Sequence, residues 1–262
     1  DGTVSLKKSA YSISKYLKEP LIDEKKVAIN NLPFDPTIEK VQINASSLQS
    51  FAILLEQDEV VLNLGEKEIN DLIQFHFSKE NLADSQKDSD WEVLSEIFHI
   101  TCLLCIRLNV SQPTFERAAD HIFSNLIESR KSGLVMKCYP YLAQLIKKLK
   151  SSEKPKTYCE RLIKVLADFD MAQMRRSAGL PFISVELIKG RSDLFPELTN
   201  ALVNVCLKSE NCNEVANALN TLNLIVKENN FPERFFGVMF ETIFRSCSRF
   251  PSEWDVLSAV DL

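Results

Sequence analysis

The fold is decided by residues 89–133, which read SDWEVLSEIFHITCLLCIRLNVSQPTFERAADHIFSNLIESRKSG. In the first half of this stretch, apolar side chains recur at three- to four-residue steps from Leu94 to Cys105, which is the period of one helix face. Pro113 suits the first turn of a second helix, whose apolar stripe stops before Gly133. The stretch therefore predicts two long helices joined by a short connection.

The same alternation of helical pattern and short connection continues toward the end of the chain. Further helices are predicted at Leu134–Leu149, Thr157–Phe169, Met171–Lys189, Asp193–Leu207, Asn213–Asn229 and Pro232–Phe250. Short connections make consecutive helices pack as antiparallel hairpins, and stacked hairpins of about 40 residues form the HEAT or armadillo arrangement. We predict an all-α fold, a HEAT/armadillo-like α-solenoid of antiparallel helix hairpins, with a compact helical bundle as the alternative.

The first third of the chain has a weaker pattern. Helical patterns at Leu6–Leu17 and Ser47–Gln57 flank a proline-containing loop, Asn30–Thr37. A helix over Glu66–Lys79 follows, and then a polar stretch, Glu80–Asp90, that is typical of a surface linker. We therefore predict two domains: an N-terminal helical segment over residues 1–87 and a helical-repeat domain over residues 88–262.

Composition indicates a water-soluble protein with a large core. Of the 262 residues, 45% are hydrophobic, yet no run of about 18 apolar residues occurs, so we expect no membrane span. Seven cysteines, an odd number, lie mostly within apolar helical patterns. This usage is typical of reduced thiols in a cytosolic or nuclear protein, and we expect a cytoplasmic one.

His99, Cys102 and Cys105 have a spacing that supplies three possible zinc ligands. On a helix, however, these side chains share a drifting stripe with Ile97 and Phe98, and no second ligand pair follows at a finger-like spacing. We interpret them as buried packing residues and expect no metal site.

The rest of the sequence contains no pattern typical of a catalytic or phosphate-binding site. The three histidines fall within helical patterns without a nucleophile elbow nearby, and the six glycines are scattered rather than clustered as in a phosphate-binding loop. We therefore expect no catalytic residues and no cofactor, and at most an auxiliary subunit of an enzyme.

Charge is unevenly distributed along the chain. Residues 130–164, which we call the basic belt, hold ten basic and two acidic residues and so carry +8. Because the whole chain carries −5, the remainder carries −13. A basic surface on an acidic protein is typical of contact with a phosphate backbone, and solvated helix faces are the alternative. The candidate RNA-binding residues of the belt are Lys147, Lys148, Lys150, Lys154 and Lys156.

Residues 175–182, which read RRSAGLPF, interrupt a helical pattern; we call them the signature segment. Pro181 lacks an amide hydrogen and disfavours helix at Leu180, so the predicted helix Met171–Lys189 should kink or restart there. A break at this point would display Arg175 and Arg176. The alternative is a structural helix break with solvated arginines.

The signature segment resembles the Arg-Arg-Ser-Ala-Gly-Leu-Pro motif of the THADA family, large helical-repeat proteins that include the yeast auxiliary subunit of a tRNA 2′-O-ribose methyltransferase. Residues 123–133 and 218–222 and Trp254 are similar to other segments of that family, so the resemblance covers about residues 90–257. It marks five candidate binding residues in the signature segment: Arg175, Arg176, Ser177, Gly179 and Pro181.

The resemblance implies a noncatalytic scaffold subunit. Its expected partners are an FtsJ-type methyltransferase, which would bring the methyl donor, and the tRNA anticodon arm, whose loop is methylated on a ribose. The alternative is a helical-repeat scaffold that binds proteins without RNA, for example a regulator of a membrane calcium pump. If the lysines of the belt and the signature arginines share a face, RNA binding is favoured; if they point apart, the protein scaffold is favoured.

Overall fold

The computed structural model describes residues 27–35, 44–78, 88–128, 132–149, 153–167, 179–228 and 233–252. Regular structure in these ranges is almost entirely helical, which confirms the predicted all-α helical-repeat fold. The ten helices are α1 Ala45–Leu55, α2 Glu66–Ser78, α3 Asp88–Arg107, α4 Gln112–Glu128, α5 Ser132–Lys148, α6 Glu153–Ala167, α7 Leu180–Gly190, α8 Phe195–Lys208, α9 Cys212–Glu228 and α10 Phe236–Arg249. Short 3-10 turns, Ser192–Leu194 and Glu233–Phe235, precede α8 and α10.

The chain divides into two compact units, Asp1–Ile122 and Phe123–Leu262. In the first unit, α3 packs against both α1 and α2. The core there is built from fully buried apolar side chains such as Phe51, Leu72 and Leu104, whose removal from water stabilises the packing.

Alternate helices of the first unit are tied together at their ends by charged side chains. Glu66, at the start of α2, accepts hydrogen bonds from Ser111 N (2.5 Å) and Thr114 Oγ1 (2.9 Å) at the start of α4. Arg107, at the end of α3, donates to the Leu55 carbonyl at the end of α1 (2.7 Å) and to the Val60 carbonyl (2.7 Å). The N-terminal ends of α2 and α4 therefore lie together, and so do the C-terminal ends of α1 and α3, as expected for stacked antiparallel hairpins.

The second unit repeats this arrangement. The C-terminal ends of α7 and α9 meet where Lys189 Nζ lies 3.2 Å from Glu228 Oε2. Arg249, at the end of α10, donates to the Leu207 carbonyl near the end of α8 (2.8 Å) and to the carbonyls of Cys206 and Ser209. Helices α5, α7 and α9 thus form one layer and α6, α8 and α10 a second, with packing between neighbours within and across the layers.

Some local predictions were wrong. Two short parallel strands, β1 Ala28–Ile29 and β2 Val61–Leu62, precede α1 and follow it, and neither was predicted. A two-residue strand is too short to carry an alternating pattern, so only tertiary pairing reveals it. Helix α6 begins at Glu153 rather than Thr157, because Pro155 fits the first turn, where an amide hydrogen has no acceptor within the helix.

Other predictions lie beyond the described residues. The predicted helix Leu6–Leu17 and most of the polar stretch Glu80–Asp90 fall outside them, and so does the junction that would separate residues 1–87 from 88–262. The two-domain boundary at 87/88 stays a prediction.

Candidate functional site

Of the signature segment, the structure describes residues 179–182, and Arg175, Arg176 and Ser177 lie outside the described residues. Helix α7 starts at Leu180 with Pro181 in its first turn, so a helix begins where the predicted break lies. The part of the predicted helix Met171–Lys189 that precedes Gly179 lies outside the described residues. The Gly179 carbonyl accepts the hydrogen bond of Ile183 N at 3.2 Å, so its position is coupled to that of the helix.

Gly179 is buried against α5. A Cβ atom placed on Gly179 would lie 2.5 Å from Cγ2 and 2.7 Å from Cβ of Val135, closer than carbon atoms can approach. The backbone of Gly179 is in the ordinary right-handed helical region (φ −84°), so an alanine would fit the backbone conformation but not the space. Pro181 is also buried, as the first turn of α7 packs inward. Both residues therefore hold α7 in place.

Gly190 repeats this contact at the other end of α7. A Cβ atom there would lie 2.5 Å from Cβ and Cγ2 of Ile146. The two glycines are eleven residues apart, as are their partners Val135 and Ile146, and eleven residues bring a helix round by about three turns to nearly the same face. Helices α5 and α7 are therefore parallel and in register, with glycine allowing close approach at both ends.

The lysines of the basic belt lie around the connection between α5 and α6. Lys147 and Lys148 are exposed at the end of α5, Lys154 is half-buried and Lys156 is exposed in the first turn of α6. Lys150 lies outside the described residues. Four of the five predicted lysines are thus brought to one end of the helices.

A second basic group stands near this end. Arg191 donates two hydrogen bonds to Asp193 (2.8 and 2.7 Å), and these bonds hold the pKa of Asp193 below its usual value, with a smaller contribution from the charge of Lys156. The turn after α7 therefore lies close to the start of α6. Elsewhere in the belt, Arg161 is engaged by Ser124 Oγ (2.6 Å) and Glu128 Oε1 (2.5 Å).

Gly179 of the signature segment and the lysines of the basic belt lie near opposite ends of α7. Gly179, where the description of the signature segment begins, packs beside Val135 near the start of α5, whereas Lys147 follows Ile146 near its end. Eleven helical residues span about 16 Å. The prediction that the lysines share a face with Arg175 and Arg176 concerns two residues outside the described ranges and stays a prediction.

Comparison with known proteins identifies the family. A family model described as THADA/TRM732, DUF2428 matches residues 66–254. The chain belongs to the THADA/TRM732 family. The match begins at Glu66 and so includes α2, which precedes the resemblance seen in the sequence at about residues 90–257.

Other comparisons add little to the family match. The comparison with curated proteins gave no match. Among solved structures, the chain is similar to an engineered protein determined by the Northeast Structural Genomics Consortium, with 16% identity, coverage of 84% of this chain and 90% of that chain, and a TM-score of 0.31. A similarity at this level supports no conclusion about the fold or function of this chain.

The sequence did not reveal an apolar surface on α10. Phe240 and Phe244 are 66% and 74% exposed, and Phe236 and Val238 are 42% and 44% exposed. Phe236, Phe240 and Phe244 recur every four residues and so form one stripe, which we call the phenylalanine stripe. The sequence analysis predicted a helix over Pro232–Phe250, and the four-residue spacing is visible in it, but nothing in the spacing shows that these side chains are exposed. Exposed clusters of large apolar side chains mark interaction surfaces.

The candidate zinc ligands occupy different environments. Cys102 and Cys105 are fully buried, as predicted, whereas His99 places Nε2 3.4 Å from Glu56 Oε1 and Nδ1 3.5 Å from Glu96 Oε2. Across the described ranges, no group of three or more His, Cys, Asp or Glu side chains is arranged to hold a metal ion.

Every helix in those ranges is too short or too polar to cross a bilayer.

Proposed function

We propose that this chain is a noncatalytic scaffold subunit that partners an FtsJ-type methyltransferase in ribose 2′-O-methylation of the tRNA anticodon loop. The observation that carries the proposal is membership of the THADA/TRM732 family, a family related to the tRNA methylation auxiliary subunit. In this role the partner supplies the methyl donor and the reacting groups, and this chain holds the anticodon arm. We place it in the cytoplasm, where its seven free cysteines would stay reduced.

The lysines at the end of α5 and the start of α6 support contact with RNA. Lys147, Lys148 and Lys156 are exposed on a chain that is otherwise acidic. Lys154 and Lys156 lie in the first turn of α6, where backbone N–H groups also favour an anion. Phosphate contacts position a nucleic acid without reading its sequence, as an anticodon-arm holder requires.

In this proposal the signature segment has two parts. Arg175 and Arg176 contact the partner or the RNA, while Gly179 and Pro181, which are buried, act by holding the start of α7. Ser177 lies between the two parts and belongs to the contact surface.

Salt-dependent tRNA binding tests the RNA contact. Replacing the exposed Lys147, Lys148 and Lys156 by Gln should weaken tRNA binding and reduce the slope of log K against log salt by about 2 to 3, since each phosphate contact contributes about 0.7 to 0.9. The matched control replaces three exposed lysines elsewhere, Lys67, Lys208 and Lys227, and should leave the slope nearly unchanged. Equal slopes for wild type and both variants would mean that the belt is only solvated.

The second candidate function is a protein-interaction scaffold without RNA, such as a regulator of a membrane calcium pump. The phenylalanine stripe favours it, because exposed aromatic side chains bind apolar protein surfaces. A variant with Phe240→Ser and Phe244→Ser tests the stripe: loss of a protein partner with tRNA binding intact places the stripe in protein binding alone. Binding of tRNA by wild type separates the two candidates, since only the first requires it. If wild type binds no tRNA while the stripe still captures a purified partner, the second candidate stands.

A further inference from the structure

We propose that this chain associates with a second copy of itself through α10, with the two α10 helices packed antiparallel along their phenylalanine stripes. The inference goes beyond the proposed function, because self-association requires neither RNA nor a methyltransferase. It rests on three features of the described residues: the burial of the matching face of α8, the charges beside the stripe, and the area that the stripe exposes.

Helix α8 allows α10 to be compared with a helix of the same form. The two helices are each 14 residues long, and each begins with a phenylalanine directly after a three-residue 3-10 turn. They can therefore be compared position by position from their first residues. At the fourth position, Leu198 and Met239 are both buried, so the two helices turn the same face to the protein interior.

The fifth and ninth positions differ between the two helices. On α8 they hold Thr199 and Val203, which are 1% and 8% exposed, in a helix packed against both α9 and α10, which follow it. On α10 they hold Phe240 and Phe244, which are 66% and 74% exposed. The larger and more apolar pair is thus the exposed one, the reverse of what the hydrophobic effect favours. A face that the fold covers on α8 is therefore exposed on α10 and suited to packing against another helix.

The charges beside the stripe favour a second copy in the antiparallel direction. Glu241 and Arg245 lie on one flank of the stripe and form an ion pair of 2.5 Å, with both side chains more than half exposed. When two identical helices pack antiparallel, the same flank of each helix meets, and flanking charges set partner and direction. Centring the pair near Ile243 brings Glu241 of each copy to Arg245 of the other. The same arrangement places Phe240 of one copy beside Phe244 of the other.

The size of the stripe predicts a weak dimer. An aromatic side chain buries about 150 to 250 Å², so Phe236, Phe240 and Phe244 at their observed exposures offer about 350 Å² per copy. With the flanking Glu241 and Arg245 of both copies, the buried total approaches about 1,000 Å², the lower end of specific interfaces. We therefore expect a monomer–dimer equilibrium in the micromolar range rather than a permanent dimer.

Sedimentation velocity of the full chain, over micromolar to submillimolar concentrations, measures this equilibrium. Wild type should shift from monomer to dimer as the concentration rises. Phe240→Ser with Phe244→Ser should weaken association by about a hundredfold, since aromatic anchors dominate interfaces. Both side chains are exposed, so the variant should keep its fold, which circular dichroism checks. The matched control, Ile53→Ser with Met136→Ser, removes two exposed apolar side chains outside α10 and should leave the equilibrium unchanged.

Exchanging the flanking charges tests the antiparallel arrangement. Glu241→Arg makes the flank positive and Arg245→Glu makes it negative, so each variant alone should associate about tenfold more weakly than wild type, because the pairs between copies become repulsive. An equimolar mixture of the two variants places opposite charges at every pair between copies and should recover association at the wild-type level. General apolar stickiness would not distinguish the mixture from the separate variants.

Three results would overturn the antiparallel dimer. One is a wild-type chain that stays monomeric throughout the concentration range, and another is a mixture that associates no better than its components. The third is a monomer that captures a different protein through the stripe, which would favour the second candidate function instead. None of these results bears on tRNA methylation, so failure of the dimer and failure of the proposed function are distinguishable.

Discussion

Gly179 and His121 illustrate what a single position contributes in this fold. The motif around Gly179 was recognised by its resemblance to the THADA family, whereas the break at Pro181 was predicted from local backbone chemistry, since proline lacks an amide hydrogen. The reason for the glycine was hidden, since its obstructing partner, Val135, is 44 residues away and belongs to another helix. Sequence patterns report local conformation well and long-range contacts poorly.

His121 shows the same limit. The sequence placed it within a helical pattern, and the structure buries it with its ring stacked on Phe98 at a centroid distance of 5.4 Å. Burial lowers the pKa of His121 to about 4, because the charged imidazolium loses its hydration. The folded protein therefore holds this side chain neutral.

Stability should fall in acid because of this histidine. The unfolded chain binds a proton at His121 below a pKa of about 6.5, while the folded chain resists protonation down to about 4, so stability present at neutral pH is lost as pH falls between these values. From pH 7 to pH 5 the expected loss is about 2 kcal/mol. Urea unfolding of wild type and His121→Phe at both values checks this. If the variant loses as much stability as wild type on acidification, His121 is not the source.

At the scale of elements, the helices are capped by charged residues from their neighbours. The carboxylate of Glu66 faces the N-terminus of α4, and the guanidinium groups of Arg107 and Arg249 face the C-terminal carbonyls of α1 and α8. Each charge has the sign that complements the helix dipole at that end. The amide of Ser111 and the hydroxyls beside it hold the pKa of Glu66 below its usual value.

Most helix positions were predictable from the sequence, because the apolar period and the prolines mark helices locally. Helix α1 is an example: its start is fixed by Asn44, whose side chain accepts from Ser46 N at 2.9 Å. The caps from neighbouring helices were not predictable, since Arg249 and its acceptor at Leu207 are 42 residues apart. Neither was the strand pair, because Ala28 and Val61 pair only through the tertiary fold.

Removing the cap at α8 should destabilise the second unit. Arg249→Met keeps the length and much of the apolar stem but leaves the carbonyls of Cys206 and Leu207 without this donor, at a cost of about 1 kcal/mol, since water replaces part of the bonding. The matched control is Arg245→Met, which breaks only the exposed pair with Glu241 and should cost about 0.5 kcal/mol or less. Chemical unfolding of the two variants decides; equal costs would mean that the cap contributes nothing beyond a surface ion pair.

At the scale of the whole molecule, the chain offers surfaces of different chemistry. Exposed lysines stand at one end of α5 and α6, and the phenylalanine stripe lies on α10. The sequence predicted the lysines and the signature segment through charge and motif. It did not reveal the stripe, since a helical pattern of apolar residues does not say which of them are exposed.

The measurement that tests the central claim most directly is reconstituted ribose methylation of tRNA. It compares the FtsJ-type methyltransferase alone, this chain alone, both together, and the methyltransferase with an Arg175→Ala, Arg176→Ala variant whose folding is verified by thermal melting. We predict no methyl transfer by this chain alone, strong transfer only when both proteins are present, and loss of that transfer in the variant. The Tm of the variant should be nearly unchanged, because a residue that acts by contacting a partner, as proposed for both arginines, contributes within about 0.5 kcal/mol to folding. Methyl transfer by this chain alone, or transfer by the methyltransferase that is the same with and without it, would contradict the account.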